Sequence, residues 1–245
     1  MVRPFTLSRL ADIIHLAQAP QGITSDDVEE AMMVTRDRAV ELVRQAEEMK
    51  LIRPDGSRYY STNLGSVFFE ALRNDDNTKL DNTLSEYPPY LKVRTILSEK
   101  SADMAELKGE TELTEVAIEI VLRLLRYVHD DLCCINERFF LRAKELPEDK
   151  CFLSAVRKTY SELRGCAQWG CPEYFIRVDR IASRVCGELR LPIDDFAKLL
   201  NKTMNTSPHI EVHSEVASYQ FMPFSRRKLD PKSYRKCYMR LKMRA

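Results

Sequence analysis

The sequence has few glycines and no long apolar run. Gly accounts for only 7 of the 245 residues, which argues against Gly-rich phosphate-binding loops and against an all-β fold with many tight turns. The most apolar stretch, Val116 to Leu125, is interrupted by Glu119 and Arg123 and falls well short of the ~20 residues needed to cross a bilayer. The first residues also lack the apolar core of a signal peptide. We therefore expect a cytoplasmic protein with no membrane partner.

The sequence also lacks the motifs of common enzyme classes. It contains no Walker motif, no dinucleotide-binding fingerprint, no zinc-protease helix and no Ser/His/Asp or Cys/His spacing typical of a nucleophilic site. The acidic pairs Asp26-Asp27 and Asp194-Asp195 lie where the amino termini of helices favour them. We expect no enzymatic activity, no cofactor and no small-molecule substrate.

The 7 cysteines are odd in number and lie in a long chain, so reduced thiols are expected rather than a disulfide framework. One conceivable metal site joins Cys166 and Cys171 to His209 and His213. Residues four apart on a strand lie ~13 Å apart, however, which is too far for one ion. Four thiols could instead hold zinc or an iron–sulfur cluster, namely Cys151, Cys166, Cys171 and Cys186. We expect no metal, because Cys186 fits a helical core position, although the four-cysteine alternative stays open.

Charge is unevenly distributed along the chain, although the formal net charge is +1. Residues 1–85 contain 10 Lys and Arg against 14 Asp and Glu, and residues 86–150 contain the same numbers. Residues 151–245 contain 18 Lys and Arg against 9 Asp and Glu. A basic end on an acidic body is typical of a segment that faces a polyanion.

One order of elements recurs three times along the chain: two helices, a longer helix and a short β ribbon. Leu10 and Ile14 belong to the first apolar helix face, and Pro54-Asp55-Gly56 indicates the turn of the first ribbon. The polar residues 73–87 and the shorter stretch 147–149 are predicted to be linkers. We predict a mainly α, α+β fold with a three-helix core and a small β wing in each of three domains, residues 1–75, 88–146 and 151–245.

In the first copy, Tyr60-Ser61-Thr62-Asn63-Leu64-Gly65 places a small polar residue and Gly before a closing helix. This feature and the order of elements resemble the winged helix-turn-helix domain, and the first copy resembles MarR-like and ArsR-like regulators of archaea and bacteria. The resemblance covers nearly the whole chain and implies three consecutive winged-helix domains. It implies DNA binding by the third helix and the wing of a domain. Tandem copies in condensin-associated and vesicle-sorting subunits bind only proteins, so the fold alone does not determine the function.

The third helix of a winged-helix domain presents its first residues to the major groove. In the second copy these are Glu112, Glu115 and Glu119, which would repel phosphates. Acidic residues also occur there in the other copies. The DNA contacts expected on the first and third copies are Arg36, Arg38, Lys198 and Lys202. The alternative is that these helix faces are solvated or dock on another subunit.

The strongest signal for DNA binding is the basic segment, residues 225–236, which contains six cations and leads into the last strand. Arg and Lys neutralise phosphates, and a flexible tip can enter a minor groove. Alternate residues from Cys237 to Met243 are apolar and are predicted to face the core. The DNA contacts expected here are Arg226, Arg227, Lys228, Lys232, Arg235, Lys236, Tyr238 and Arg240. The alternatives are a solvated basic loop and an acidic protein partner.

Our leading hypothesis is a non-enzymatic DNA-binding adaptor or regulator. Its third domain binds nucleic acid, most simply duplex DNA, with help from the first domain. The acidic first and second domains recruit protein partners. The rival hypothesis is a purely protein-binding scaffold subunit of a larger ATPase-driven defence or chromosome-maintenance complex.

Overall fold

The structure is a computed structural model that describes residues 7–164, 176–206, 210–214, 222–223 and 237–241. The described chain is mainly helical, with antiparallel sheets of two, two and four strands. The mainly α, α+β class expected from the sequence is therefore confirmed.

In the first copy, helix α2 begins at a capping box. The Thr24 hydroxyl accepts a hydrogen bond from the Asp27 backbone N–H, and the Asp27 carboxylate accepts one from the Thr24 backbone N–H (2.7 Å). The hydrogen bonds from Thr24, above all the one from its backbone, hold the pKa of Asp27 below its usual value. The elements of this copy are α1 (Leu7–Ala17), α2 (Ser25–Met32), α3 (Arg36–Glu48), β1 (Ile52–Asp55), β2 (Arg58–Ser61) and α4 (Asn63–Arg73).

The hairpin of strands β1 and β2 closes through Gly56 and Ser57. Gly56 has a φ of +62°, which fits the first central position of a type II′ turn and confirms the turn predicted here. Pro54 lies opposite Tyr59 in the register of the two strands. The backbone N–H and C=O of Tyr59 both bond to Ile23, at 2.7 and 2.9 Å, so Ile23 pairs with β2 on the side away from β1.

Thr62 and Gly65 join this hairpin to helix α4. The Thr62 hydroxyl accepts a hydrogen bond from the Gly65 backbone N–H (3.0 Å) and donates one to the Lys50 carbonyl (2.7 Å). The Leu51 carbonyl accepts a bond from the Thr62 backbone N–H at 3.0 Å. Residues 60–65, on which the resemblance to winged-helix regulators depends, thus include the cap and the first residues of α4. The start of α4 contacts the backbone of Lys50 and Leu51, which precede β1.

The linker expected at residues 73–87 is corrected by the structure. This segment contains helix α5 (Asn77–Leu84), which Asp76 caps by accepting a hydrogen bond from the Lys79 backbone N–H. Leu80 and Leu84 are fully buried, so α5 belongs to a packed core. The sequence-based prediction failed because α5 has only a few apolar residues, and the polar residues around them make the segment look like a linker.

The second copy continues with α6 (Pro88–Glu99), α7 (Met104–Thr111), α8 (Glu115–Val128), β3 (Leu132–Ile135) and β4 (Arg138–Leu141). Thr114 caps α8 by accepting a hydrogen bond from the Ala117 backbone N–H. Asn136 and Glu137 have φ values of +49° and +63°, which is typical of a type I′ turn between β3 and β4.

The third copy has a larger sheet, in the order β5-β8-β6-β7. Its helix α9 begins inside the second expected linker, residues 147–149. Met239 of β8 is fully buried, and so is Cys186, which confirms the core positions predicted for both. The elements are α9 (Asp149–Arg164), β5 (Ile176–Arg177), α10 (Val178–Leu189), α11 (Ile193–Thr206), β6 (Ile210–Ser214), β7 (Met222–Pro223) and β8 (Cys237–Leu241).

A short extended segment between the first two helices of each copy pairs with a later strand in the same antiparallel manner. In the first copy Ile23 pairs with Tyr59, and in the second Ala102 pairs with Phe139. In the third copy the two-residue strand β5 pairs with β8, with Ile176 opposite Met239. The order helix, short extended segment, helix, helix and strand pair is therefore the same three times.

The described chain divides into two compact units. The first comprises residues 1–96 and 104–132, and the second comprises residues 97–103 and 133–245. The boundaries expected for three separate domains stay a prediction. No helix in the described part of the chain is both long and apolar enough to cross a membrane.

Candidate nucleic-acid interface

The two cations predicted on α3 differ in how strongly the protein holds them. Arg36 lies 3.7 Å from the Asp26 carboxylate, and both side chains are about three-quarters exposed. Arg38 lies 2.5 Å from the Glu41 carboxylate, and both side chains are about four-fifths buried. Exposed ion pairs contribute only ~0–1 kcal/mol, so Arg36 can exchange Asp26 for a phosphate at little cost. Arg38 would have to leave a largely buried partner.

The two cations predicted on α11 also have acidic partners. Lys198 Nζ lies 3.1 Å from Asp195, whose side chain is 6% exposed, whereas that of Lys198 is 75% exposed. Arg142 Nη2 approaches the other oxygen of Asp195 at 2.7 Å, without the alignment of a hydrogen bond. Lys202 Nζ lies 2.7 Å from Asp149 on α9. Because Asp195 keeps Arg142 as a partner, Lys198 can turn to a phosphate without leaving a buried charge unpaired.

The corresponding helix of the second copy, α8, remains acidic at its start. Glu112, Glu115 and Glu119 are all exposed, and Lys108 lies 3.7 Å from Glu115. A phosphate backbone approaching this end of the helix would meet net negative charge. The sequence-based expectation that α8 faces protein or solvent therefore stays in place as a prediction.

Six of the predicted DNA contacts lie outside the described residues: Arg226, Arg227, Lys228, Lys232, Arg235 and Lys236. The backbone of Tyr238 and Arg240 is described in β8, where Tyr238 is paired with His213 and Arg240 with Glu211 of β6. The structure thus gives the strand that follows the basic segment. It also shows that β7, which precedes the segment, and β8 both pair with β6.

Comparison with known proteins assigns no family to this chain. No family model matches it, and no curated protein or solved structure is significantly similar to it. The likeness to winged-helix regulators therefore depends on the order of the elements and on residues 60–65.

A partly buried polar cluster around Asp81 is absent from the sequence-based predictions. The Asp81 carboxylate accepts hydrogen bonds from the Tyr90 hydroxyl (2.8 Å) and from Arg94 Nη2 (2.6 Å). His129 Nε2 lies 3.0 Å from the same carboxylate, and its Nδ1 lies 3.6 Å from Asp131. Burial, followed by the bond to Asp81, raises the pKa of Tyr90 well above its usual value.

The Asp81 cluster joins helices α5, α6 and α8 within the first unit. The Asp81 side chain is 13% exposed and that of His129 is 18% exposed, so the carboxylate is surrounded by its donors. Burying a carboxylate is favourable only when charged or hydrogen-bonded partners compensate for lost water. The geometry indicates a structural role, because the carboxylate on α5 faces polar groups from α6 and from the end of α8. The sequence contains one sign of this cluster. Leu80 and Leu84 have the spacing of a buried helix face, and the acidic Asp81 lies next to that face.

The thiols considered as metal ligands lie in different environments. Cys151 is exposed on α9, whereas Cys186 lies in the core of the second unit. Cys166, Cys171 and His209 lie outside the described residues. Among the residues that the structure describes, no group of three or more His, Cys, Asp or Glu side chains is arranged to hold a metal ion.

The cysteines are predicted to differ sharply in their reactivity. We expect maleimide to label Cys134 and Cys151 in the folded protein, because both are exposed, and to leave Cys186 unlabelled. Burial, and then the neighbouring Cys133, raises the pKa of Cys186, so little of the reactive thiolate forms. Peptide mass spectrometry after labelling, with a urea-unfolded sample as the control, measures this difference. Labelling of native Cys186 as fast as that of Cys151 would contradict its placement in the core.

Proposed function

We propose that the chain is a non-enzymatic adaptor made of three consecutive winged-helix domains, of which the third binds duplex DNA. The threefold recurrence of helix, short extended segment, helix, helix and strand pair supports the winged-helix assignment. The domains correspond to residues 1–75, 88–146 and 151–245, and we place the protein in the cytoplasm.

The observation that most supports DNA binding is the position of the basic segment in the chain. It contains six Lys and Arg and only one acidic residue, Asp230. It connects β7 to β8, and both strands pair with β6 in the sheet of the third copy. The strands before and after a strongly cationic segment therefore belong to one sheet, as do the strands that flank a wing that contacts a phosphate backbone.

The described helices supply weaker contacts in this proposal. Arg36, Lys198 and Lys202 are exposed and can exchange their carboxylate partners for phosphates. They share their helices with acidic residues such as Asp37 and Asp194, which oppose deep insertion into a groove. The proposal therefore assigns most of the affinity to backbone contacts, with little sequence preference. The acidic first and second domains recruit protein.

Removing three charges of the basic segment tests this proposal. The variant Arg226→Ala/Arg227→Ala/Lys228→Ala should bind all duplex sequences more weakly. The slope of log affinity against log salt should become shallower by up to ~2.7, because each phosphate contact contributes ~0.9. Gel-shift or anisotropy titrations at several salt concentrations measure the slope. Replacing Arg123 and Arg126, two exposed cations of α8, with alanine gives a control outside the third copy.

A triple variant that binds as tightly as the wild type with the same salt slope would exclude the basic segment as a phosphate contact. The thermal midpoint is expected to remain near that of the wild type. A shift of many degrees would mean that the substitutions act through folding.

A purely protein-binding scaffold is the second candidate function. It is favoured by the ion pairs of Arg36, Arg38, Lys198 and Lys202, each of which has a carboxylate partner. It is also favoured by the acidic start of α8. If the wild-type chain bound neither duplex nor single-stranded DNA at low salt, the protein-binding scaffold would replace the DNA-binding adaptor as the favoured function. The basic segment would then face an acidic protein surface.

A further inference from the structure

Helix α9 has one apolar face and one face rich in cations and hydroxyls. Its apolar face is buried in the core of the second unit through residues such as Phe152, Val156 and Tyr160. The opposite side includes Lys150 and Arg157, both exposed. A shallow surface depression on this side is lined by Lys150, Leu153, Ser154, Arg157, Lys158 and Ser161.

The polar side chains in this depression follow the helical repeat. Lys150, Ser154, Arg157 and Ser161 are spaced by four, three and four residues, so they form one stripe along α9. Lys150 and Arg157 are seven residues apart, which corresponds to ~10.5 Å along the axis. Phosphates of one DNA strand advance by ~3.4 Å per step along the duplex axis and lie farther apart in space because the strand winds around it, so two cations at this spacing can contact separate phosphates of one strand.

Three carboxylates of α9 and α10 have partners other than Lys150 and Arg157. Glu188 lies 2.9 Å from Lys158, and Glu162 lies 3.3 Å from Arg184. Asp149, at the start of α9, lies 2.7 Å from Lys202. Within the described part of the chain, neither Lys150 nor Arg157 has an ion-pair partner. This distinguishes them from the four cations predicted on α3 and α11.

We propose that this stripe of α9, formed by Lys150, Ser154, Arg157 and Ser161, is a second phosphate-binding surface for duplex DNA. The two cations neutralise phosphates, and the two serine hydroxyls donate hydrogen bonds to phosphate oxygens between them. The inference rests on the proposed function but uses a different element, because α9 is the first helix of the third copy. DNA held by the basic segment alone would contact one site, whereas the α9 stripe adds a contact that fixes the position of the duplex.

The test is the double variant Lys150→Ala/Arg157→Ala in the full chain. On a random-sequence duplex we expect about tenfold weaker binding at 0.1 M salt and a salt slope shallower by up to ~1.8. The matched control is the double variant Arg123→Ala/Arg126→Ala, which removes the same charge from exposed positions of α8 and should leave the slope unchanged. The thermal midpoint should not change, because neither residue has a described ion pair to lose.

A third variant removes no cation. Ser154→Glu places a negative charge between Lys150 and Arg157 on an exposed helix position, and it should also weaken DNA binding several-fold at low salt. An unchanged salt slope in Lys150→Ala/Arg157→Ala, or the same loss in the α8 control, would overturn the proposal.

The outcomes separate this inference from the proposed function. Loss of binding in the Arg226/Arg227/Lys228 variant with none in the α9 variant overturns only the α9 surface. Loss in the α9 variant with none in the basic-segment variant supports the α9 surface and overturns the wing contact. Absence of DNA binding by the wild-type chain overturns both.

Discussion

Replacing Gly65 with alanine should destabilise the first unit by about 3 kcal/mol. A Cβ atom at this position would lie 2.1 Å from the Leu51 carbonyl oxygen and 3.0 Å from its carbon. That carbonyl cannot easily move, because it accepts a hydrogen bond from the backbone N–H of Thr62 (3.0 Å). The extra methyl group must therefore displace the start of α4 or the end of the α3–β1 turn.

Urea unfolding monitored by circular dichroism measures this loss. Gly109→Ala is the matched control, since it makes the same chemical change in helix α7, where, in the described part of the chain, nothing beyond the neighbouring residues and the helix's own backbone lies within 4 Å of the added Cβ. It should stabilise the protein by about 0.5–1 kcal/mol, because alanine favours a helix interior over glycine. A Gly65→Ala protein as stable as the wild type would show that the close approach to Leu51 is not present in solution.

Replacing Asp81 with alanine should also cost about 3 kcal/mol, because it removes the largely buried carboxylate that now pairs with Arg94 and His129. Tyr90, Arg94 and His129 would all lose the carboxylate oxygens that now lie within 3.0 Å of them. Hydrogen exchange of α5 backbone amides should become faster, since this helix would lose its polar contacts with α6 and α8.

Two control variants separate charge from packing in this cluster. Asp81→Asn keeps a carbonyl oxygen for the Tyr90 hydroxyl but loses the charge that faces Arg94, so its loss should be smaller than that of alanine. Asp130→Ala removes an exposed carboxylate and should change the free energy of unfolding by less than about 0.5 kcal/mol. Equal stabilities of Asp81→Ala and Asp130→Ala would show that the cluster does not stabilise the first unit.

Local patterns in the sequence were sufficient for the turn of the first hairpin and for core positions. Gly56 has the positive φ expected of its turn, and Cys186 and Met239 are buried as their patterns predict. The linker at 73–87 was wrong because polar content was taken as a measure of exposure. Leu80 and Leu84 show that two apolar residues at helical spacing are enough to bury a short helix when a core is available.

The charged site could be predicted only in part, because some of its ion pairs join residues that are distant in the chain. Lys202 meets Asp149, which lies 53 residues earlier, and Asp195 meets Arg142. The sequence indicates which positions are cationic but not which carboxylates neutralise them. For the same reason the exposed cations of α9 could not be distinguished in the sequence from those that have partners.

Among the described strands, β1 forms an unpaired edge of the first hairpin, and the residues at that edge affect the tendency of the protein to aggregate at high concentration. Within the described chain β1 pairs with β2 alone, so its outer backbone groups face solvent. Because the backbone groups of Tyr59 bond to Ile23, the Pro54–Tyr59 pair is a non-hydrogen-bonded one, and the nitrogen of Pro54 points outward. Proline has no N–H to offer at that edge, and its neighbours Arg53 and Asp55 are charged. A strand of another molecule therefore finds a poor template there, which protects the protein from growth of its small sheet into an aggregate.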